Sequence, residues 1–203
     1  MLTSVNAVLS SVLRAVRGPA ATPSGTAWWA GRRLAGVLLA AAAVYAAMLT
    51  ITLPELTARS GGLTMFDLLP LGYDATYART LLERLGSEGR DYYLFRQLPL
   101  DAAYPALLAL SLAGLWRVLL RWSNLETPGR CALAWCSVLV AGLDYAENVA
   151  VAAMLLRFPL ESDALVGLAS SATVAKSMTA TVCFTAVAGL GMVATLRRMT
   201  SRR

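Results

Sequence analysis

Asp144, Glu147 and Asn148 are the residues in this chain whose types and spacing could do chemistry. They stand at i, i+3 and i+4, so on a helix they share one face. Two carboxyl groups one turn apart suit acid–base work, proton carriage or the holding of a polar headgroup. Their setting is unusual. The run Cys131 to Leu156 is otherwise apolar and long enough to cross the roughly 30 Å hydrocarbon core of a bilayer as a helix. An ionised carboxylate facing lipid costs on the order of 3 kcal/mol or more. This face must therefore turn toward protein, with at least one carboxyl paired or protonated. Ser137, Ala141 and Val151 fall on the same stripe, and Trp135 lies opposite Asp144. Small residues on that stripe let another helix come close.

The chain offers one partner for these acids. Lys176 is the only lysine among 18 basic residues and the only charge inside its apolar run. At 1.5 Å per residue, Glu147 lies about 24 Å above Cys131 and Lys176 about 30 Å above Leu196. A lysine stem spans the difference of roughly 6 Å. Ala172, Thr179, Ala180 and Cys183 share its face. The spacing predicts a Lys176–Glu147 pair, with Asp144 deeper beside Asn148 and a hydroxyl from Thr179 or Tyr145. Asp144, Tyr145, Glu147, Asn148, Lys176 and Thr179 thus form the expected intramembrane polar site. It is read either as an ion pair that fixes helix register or as a polar pocket near the outer leaflet. No catalytic residue is assigned.

Composition sets the elements that must carry this site. The chain has 203 residues, 57 % of them hydrophobic and 15 % charged. With a mean hydropathy of +0.58, it belongs with multi-pass membrane proteins. The net charge of +6 is gathered beside apolar runs, which reads as membrane topology and not as nucleic-acid binding. The absence of histidine removes His-based metal, haem and acid–base sites, and no cofactor or metal is expected. Cys131, Cys136 and Cys183 form no C-x-x-C and none lies in an outer loop, so no structural disulfide is expected.

Four spans are predicted, at about 34–53, 102–120, 131–156 and 172–196. The fold class is an all-α four-helix transmembrane bundle, a single membrane domain over 28–203. Residues 1–27 precede it as a cytoplasmic amphipathic helix and linker. In residues 2–17, Leu2, Val5, Leu9, Val12, Leu13 and Val16 share a face, which reads as an interfacial helix. A targeting segment is the other reading, disfavoured because no Ala-x-Ala-type cleavage pattern follows. Pro54 is expected to end the first span, and the connection 54–101 to fold as a short helical extracytoplasmic cap. In it, Asp74 caps a helix that Gly86 closes, with Ala78, Leu81, Leu82 and Leu85 facing inward. Ser87 is a candidate cap for a second short helix. Asp101 is expected to cap the second span, with Pro105 in its first turn. Trp116 and Trp122 with Arg117 and Arg121 mark the far interface.

Charge gives orientation. The connection 54–101 carries Arg59, Arg79, Arg84, Arg90 and Arg96 against Glu55, Asp67, Asp74, Glu83, Glu88, Asp91 and Asp101, five against seven. The two tails carry arginine without acid. The positive-inside rule then places both termini in the cytoplasm.

Several pieces together resemble a group of bacterial four-span membrane proteins to which no activity is attached. They are Phe66-Asp67, Leu71-Gly72-Tyr73, Leu85-Gly86 with Gly89-Arg90 and Tyr93, Leu100-Asp101 with Tyr104-Pro105, Asp144 with Glu147-Asn148, and Lys176. That resemblance implies the four-span layout alone. The layout is also faintly similar to the sterol-isomerase and sigma-two-receptor superfamily, whose isomerases use histidine; this chain has none.

Three functions are carried forward. The first is a non-enzymatic binding or accessory subunit, its partners the lipid bilayer and a second protein or further copies of itself. Gly189 and Gly191 suit such close helix packing. The second is an intramembrane acid–base enzyme acting on a lipid or isoprenoid through Asp144 and Glu147. The third is an oligomeric proton-coupled carrier. No P-loop, nucleophile elbow or nucleic-acid module is present in the sequence.

Overall fold

The computed structural model describes residues 26–123, 129–160 and 162–200. Every regular element among them is helical. In chain order these are α1 (Thr26–Ala47), α2 (Leu53–Arg59), α3 (Ala75–Tyr92), α4 (Leu98–Ser123), α5 (Gly129–Arg157) and α6 (Asp163–Thr200). Four helices are long and apolar enough to cross a membrane: Gly31–Arg59, Ala75–Trp122, Trp135–Arg157 and Asp163–Arg197. The amphipathic pattern at 2–17 lies outside the described residues.

Two of these helices run longer than expected, for one shared reason. Pro54 does not end the first helix. A π-helical turn, Met48–Thr52, joins α1 to α2, and the Leu53 amide reaches back five residues to the Met48 carbonyl. The wider turn puts Pro54 in the opening turn of a fresh α segment, where its missing N–H does no harm. The same device recurs at Tyr93–Gln97, where the Leu98 amide reaches the Tyr93 carbonyl and Pro99 follows. Helix α3 therefore continues through this turn into α4. Asp101 is not an N-cap, because it lies inside the continuous helix and is buried.

The chain folds as two compact units. Among the described residues, one is formed by 26–41, 106–123, 129–141 and 179–200. Within it Ala109, Ala113 and Ala141 pack together, as do Leu112, Trp116, Val140 and Cys183. Trp116 is a core residue and not an interface marker. It is 2 % exposed and its indole N–H donates to Ser137 Oγ at 3.2 Å. Trp135, by contrast, is 57 % exposed while Ser137 and Ala141 are buried, so the small-residue stripe does turn toward protein. Cys136 and Cys183 are joined by a disulfide. The expectation of no such bond rested on loops, whereas these sulfurs meet through the packing of α5 on α6.

The other unit, residues 42–105 and 142–178, holds the larger core and the polar site. Leu56, Met65, Phe66, Leu81, Leu82, Tyr93, Val151 and Met154 are sealed from solvent within it. Helix α3 starts as its sequence dictates, with Asp74 accepting from the Tyr77 amide at 2.7 Å. Gly86, at φ 63°, breaks its regularity. Ala78, Leu81, Leu82 and Leu85 are its buried face. The loop before it needs Gly72 at φ 84°, since a Cβ there would stand 2.6 Å from Ser170 Oγ. That hydroxyl accepts the Tyr73 amide at 2.9 Å. Helix α6 starts at Asp163, nine residues before the expected span, because Ser162 Oγ accepts the Leu165 amide.

Candidate functional site: a cluster of four carboxylates and one lysine

Helix α5 presents Asp144, Glu147 and Asn148 on one face, all buried. Helix α6 answers with Thr173 and Lys176, one turn apart. Lys176 Nζ lies 3.2 Å from Asp144 Oδ1 and also forms an ion pair with Glu147 Oε2. Thr173 Oγ1 donates to Glu147 Oε1 at 2.5 Å. The lysine thus serves both acids, where the spacing predicted Glu147 alone. A hydroxyl that the spacing did not single out, that of Thr173, serves Glu147. The reason is directional: side chains on a helix lean toward its N-terminus, so the Lys176 stem travels toward the turn of Thr173 and away from Thr179. Tyr145 is half-buried beside Asp144.

Asn148 has a different task from the one expected. Its Nδ2 donates to the Asp101 carbonyl at 3.1 Å. In an uninterrupted helix that carbonyl would accept the amide of residue 105. Residue 105 is Pro, which has no N–H and lies inside α4. A buried carbonyl without a donor is costly, so Asn148 supplies from another helix what Pro105 removes. A proline in one helix and an asparagine in another are thereby one structural feature.

A second polar layer lies around Asp67, which sequence reasoning gave no role in the site. Its Oδ1 accepts the Tyr93 hydroxyl at 2.5 Å, and its Oδ2 lies 3.3 Å from Gln97 Nε2. Thr52 in turn donates to Gln97 Oε1. Thr52 and Gln97 are the last residues of the two π-helical turns, each followed by Leu-Pro. π-Helical turns often mark functional positions in helices, and here they aim two buried polar side chains at each other. The repeated Thr52-Leu53-Pro54 and Gln97-Leu98-Pro99 was the available signal. Asp101 completes the set: Asp67, Asp144, Glu147 and Lys176 all act on it electrostatically.

Aromatic rings border the cluster. Tyr45 stacks on Tyr104 with centroids 5.4 Å apart, and Tyr104 feels the charges of Asp144 and Asp101. Phe66 lies between Tyr73 and Tyr93, at 4.6 and 6.3 Å. Tyr73 stands in the loop before α3. Burial pushes its hydroxyl above the ordinary phenol range, with Glu147 and Asp67 acting in the same direction, so it remains neutral. Elsewhere in this unit an open groove of about 480 Å³ is lined by Thr76, Arg79, Thr80, Glu83 and Asp163, away from the cluster. Among the described residues no three His, Cys, Asp or Glu side chains are arranged to hold a metal ion.

Fold and site together define a helical protein with four potential membrane spans and a buried ion-pair cluster in one of its two units. No protein-family model, curated protein or solved structure matches the chain.

Proposed function

We propose that this is a multi-pass protein of a bacterial cytoplasmic membrane that acts as a non-enzymatic binding or accessory subunit. Both termini lie in the cytoplasm, and the segment 54–101 is a cap on the outer side. The observation that carries this reading is the closure of Lys176 on both Asp144 and Glu147, with Thr173 on Glu147 as well. The two acids that would serve as acid and base are already held by protein partners. A buried pair of this kind fixes helix register.

Exposure supports the second half of the reading. Only 11 % of an 18-residue apolar stretch of the first and of the fourth potential span is buried, against 50 % of that of the third. Gly36 and Gly189 on those two helices have open space where a Cβ would stand, which permits another helix to approach closely. At Gly191 a Cβ would stand 4.0 Å from Leu119 of its own chain. The partner is a second membrane protein or another copy of this one, within the lipid bilayer.

The test is native mass spectrometry of protein extracted gently from its own membrane. A second polypeptide at fixed stoichiometry is expected. The chain alone, carrying a discrete lipid or small molecule that disappears in Glu147→Gln, would overturn the accessory reading in favour of a substrate pocket.

A further inference from the structure

The charge count of the cluster does not close on protein groups. Asp67, Asp101, Asp144 and Glu147 act on one ammonium, that of Lys176. Lys176 contacts Asp144 and Glu147. Asp67 accepts from Tyr93 and Gln97. Asp101 is left: it is 3 % exposed, and its Oδ2 is buried without a hydrogen-bond donor. Asn148 is 8 % exposed, and its Oδ1 is likewise buried without a donor. Both orphan atoms are acceptors, so what is missing is a hydrogen or a positive charge. An ionised carboxylate with one oxygen buried and without a donor is costly for a fold to hold.

We infer that the cluster contains a proton-binding site at Asp101. The packing decides between cations. An organic ammonium needs room beside the carboxyl, and Asp101 and Asn148 are only 3 % and 8 % exposed. A multivalent metal needs several carboxylates converging, an arrangement absent among the described residues. A proton needs no volume. Binding forms an O–H bond at the Asp101 carboxyl and removes one negative charge, leaving three carboxylates around Lys176. The groups that face Asp101 from the packed elements are Asp67 from the loop, Tyr93 from the π-helical turn, Tyr104 from α4, Asp144 and Glu147 from α5 and Lys176 from α6. This site holds whether or not the protein has a partner subunit.

Infrared spectroscopy of the full chain in lipid vesicles at neutral pH tests it, through the carbonyl stretch that a protonated carboxyl shows and a carboxylate lacks. The wild-type protein is expected to show one such band, shifted by ¹³C-aspartate labelling and not by ¹³C-glutamate. Asp101→Asn should abolish it, and Asp74→Asn, in the helix cap, should keep it. If Asp101→Asn does not fold, Asp101→Glu serves: the band should then follow the ¹³C-glutamate label. A wild-type spectrum without the band, or a band that survives in folded Asp101→Asn, overturns the proposal.

Discussion

Pro105 and Asn148 offer the sharpest quantitative test of the packing. Replacing Asn148 by Leu keeps most of the side-chain volume but removes the donor to the Asp101 carbonyl. Asp101 is 3 % exposed, so water cannot take the donor's place without opening the packing. A buried acceptor stripped of its partner costs about 1–3 kcal/mol, or roughly a five- to 150-fold loss in the folding equilibrium constant. The structure also specifies the remedy. Pro105→Ala returns an amide at the position that normally serves the Asp101 carbonyl within a helix. In the Pro105→Ala background, Asn148→Leu should therefore cost at least about 1 kcal/mol less than in the parent. The assay is unfolding in mixed micelles with rising SDS, followed by helical circular dichroism for all four proteins of the cycle. Additive losses, with no rescue by Pro105→Ala, would falsify the account of why Asn148 is there.

Other outcomes follow from the same geometry. Lys176→Met leaves Asp144 and Glu147 buried without their cation and should destabilise by about 3–5 kcal/mol in the same unfolding assay. The triple variant with Asp144→Asn and Glu147→Gln should be less damaged than Lys176→Met alone. Thr52→Val strands Gln97 Oε1 and should cost about 1–3 kcal/mol, with Thr52→Val/Gln97→Leu costing less than the sum of the singles. Gly72→Ala forces φ 84° on a residue with a Cβ that meets Ser170 Oγ at 2.6 Å. It should be destabilising, with faster hydrogen exchange at the Tyr73 amide. Maleimide labelling of the denatured, unreduced protein should modify one of the three cysteines, and all three after reduction.

What the sequence made legible was local. Apolar runs long enough to cross a bilayer need no tertiary knowledge, and four such helices are present. The Asp74 cap and the Gly86 break depend on residues within one turn, and both are found where the pattern placed them. The meeting of Lys176 with Glu147 followed from depth arithmetic, because one lysine and a few acids leave little choice in hydrocarbon. What failed depended on another part of the chain. An aspartate before an apolar run looks like a cap, as Asp101 does; only the π-helical turn before it shows that the helix has already begun. That turn is held by Thr52 and Gln97, 45 positions apart. The Cys136–Cys183 bond and the Asn148 donation to Asp101 are likewise products of helix packing, and no pattern within one element announces them.

The most direct test of the central cluster is a magic-angle-spinning NMR measurement on the protein in lipid bilayers, with ¹⁵N-lysine and ¹³C-labelled carboxyls. Because Lys176 is the only lysine, its Nζ is a single assigned signal. Dipolar contacts from that nitrogen to the side-chain carboxyl carbons of both Glu147 and Asp144 are expected, the two disappearing one at a time in Glu147→Gln and Asp144→Asn. A Lys176 nitrogen with no carboxyl carbon in contact range would contradict the account at its centre.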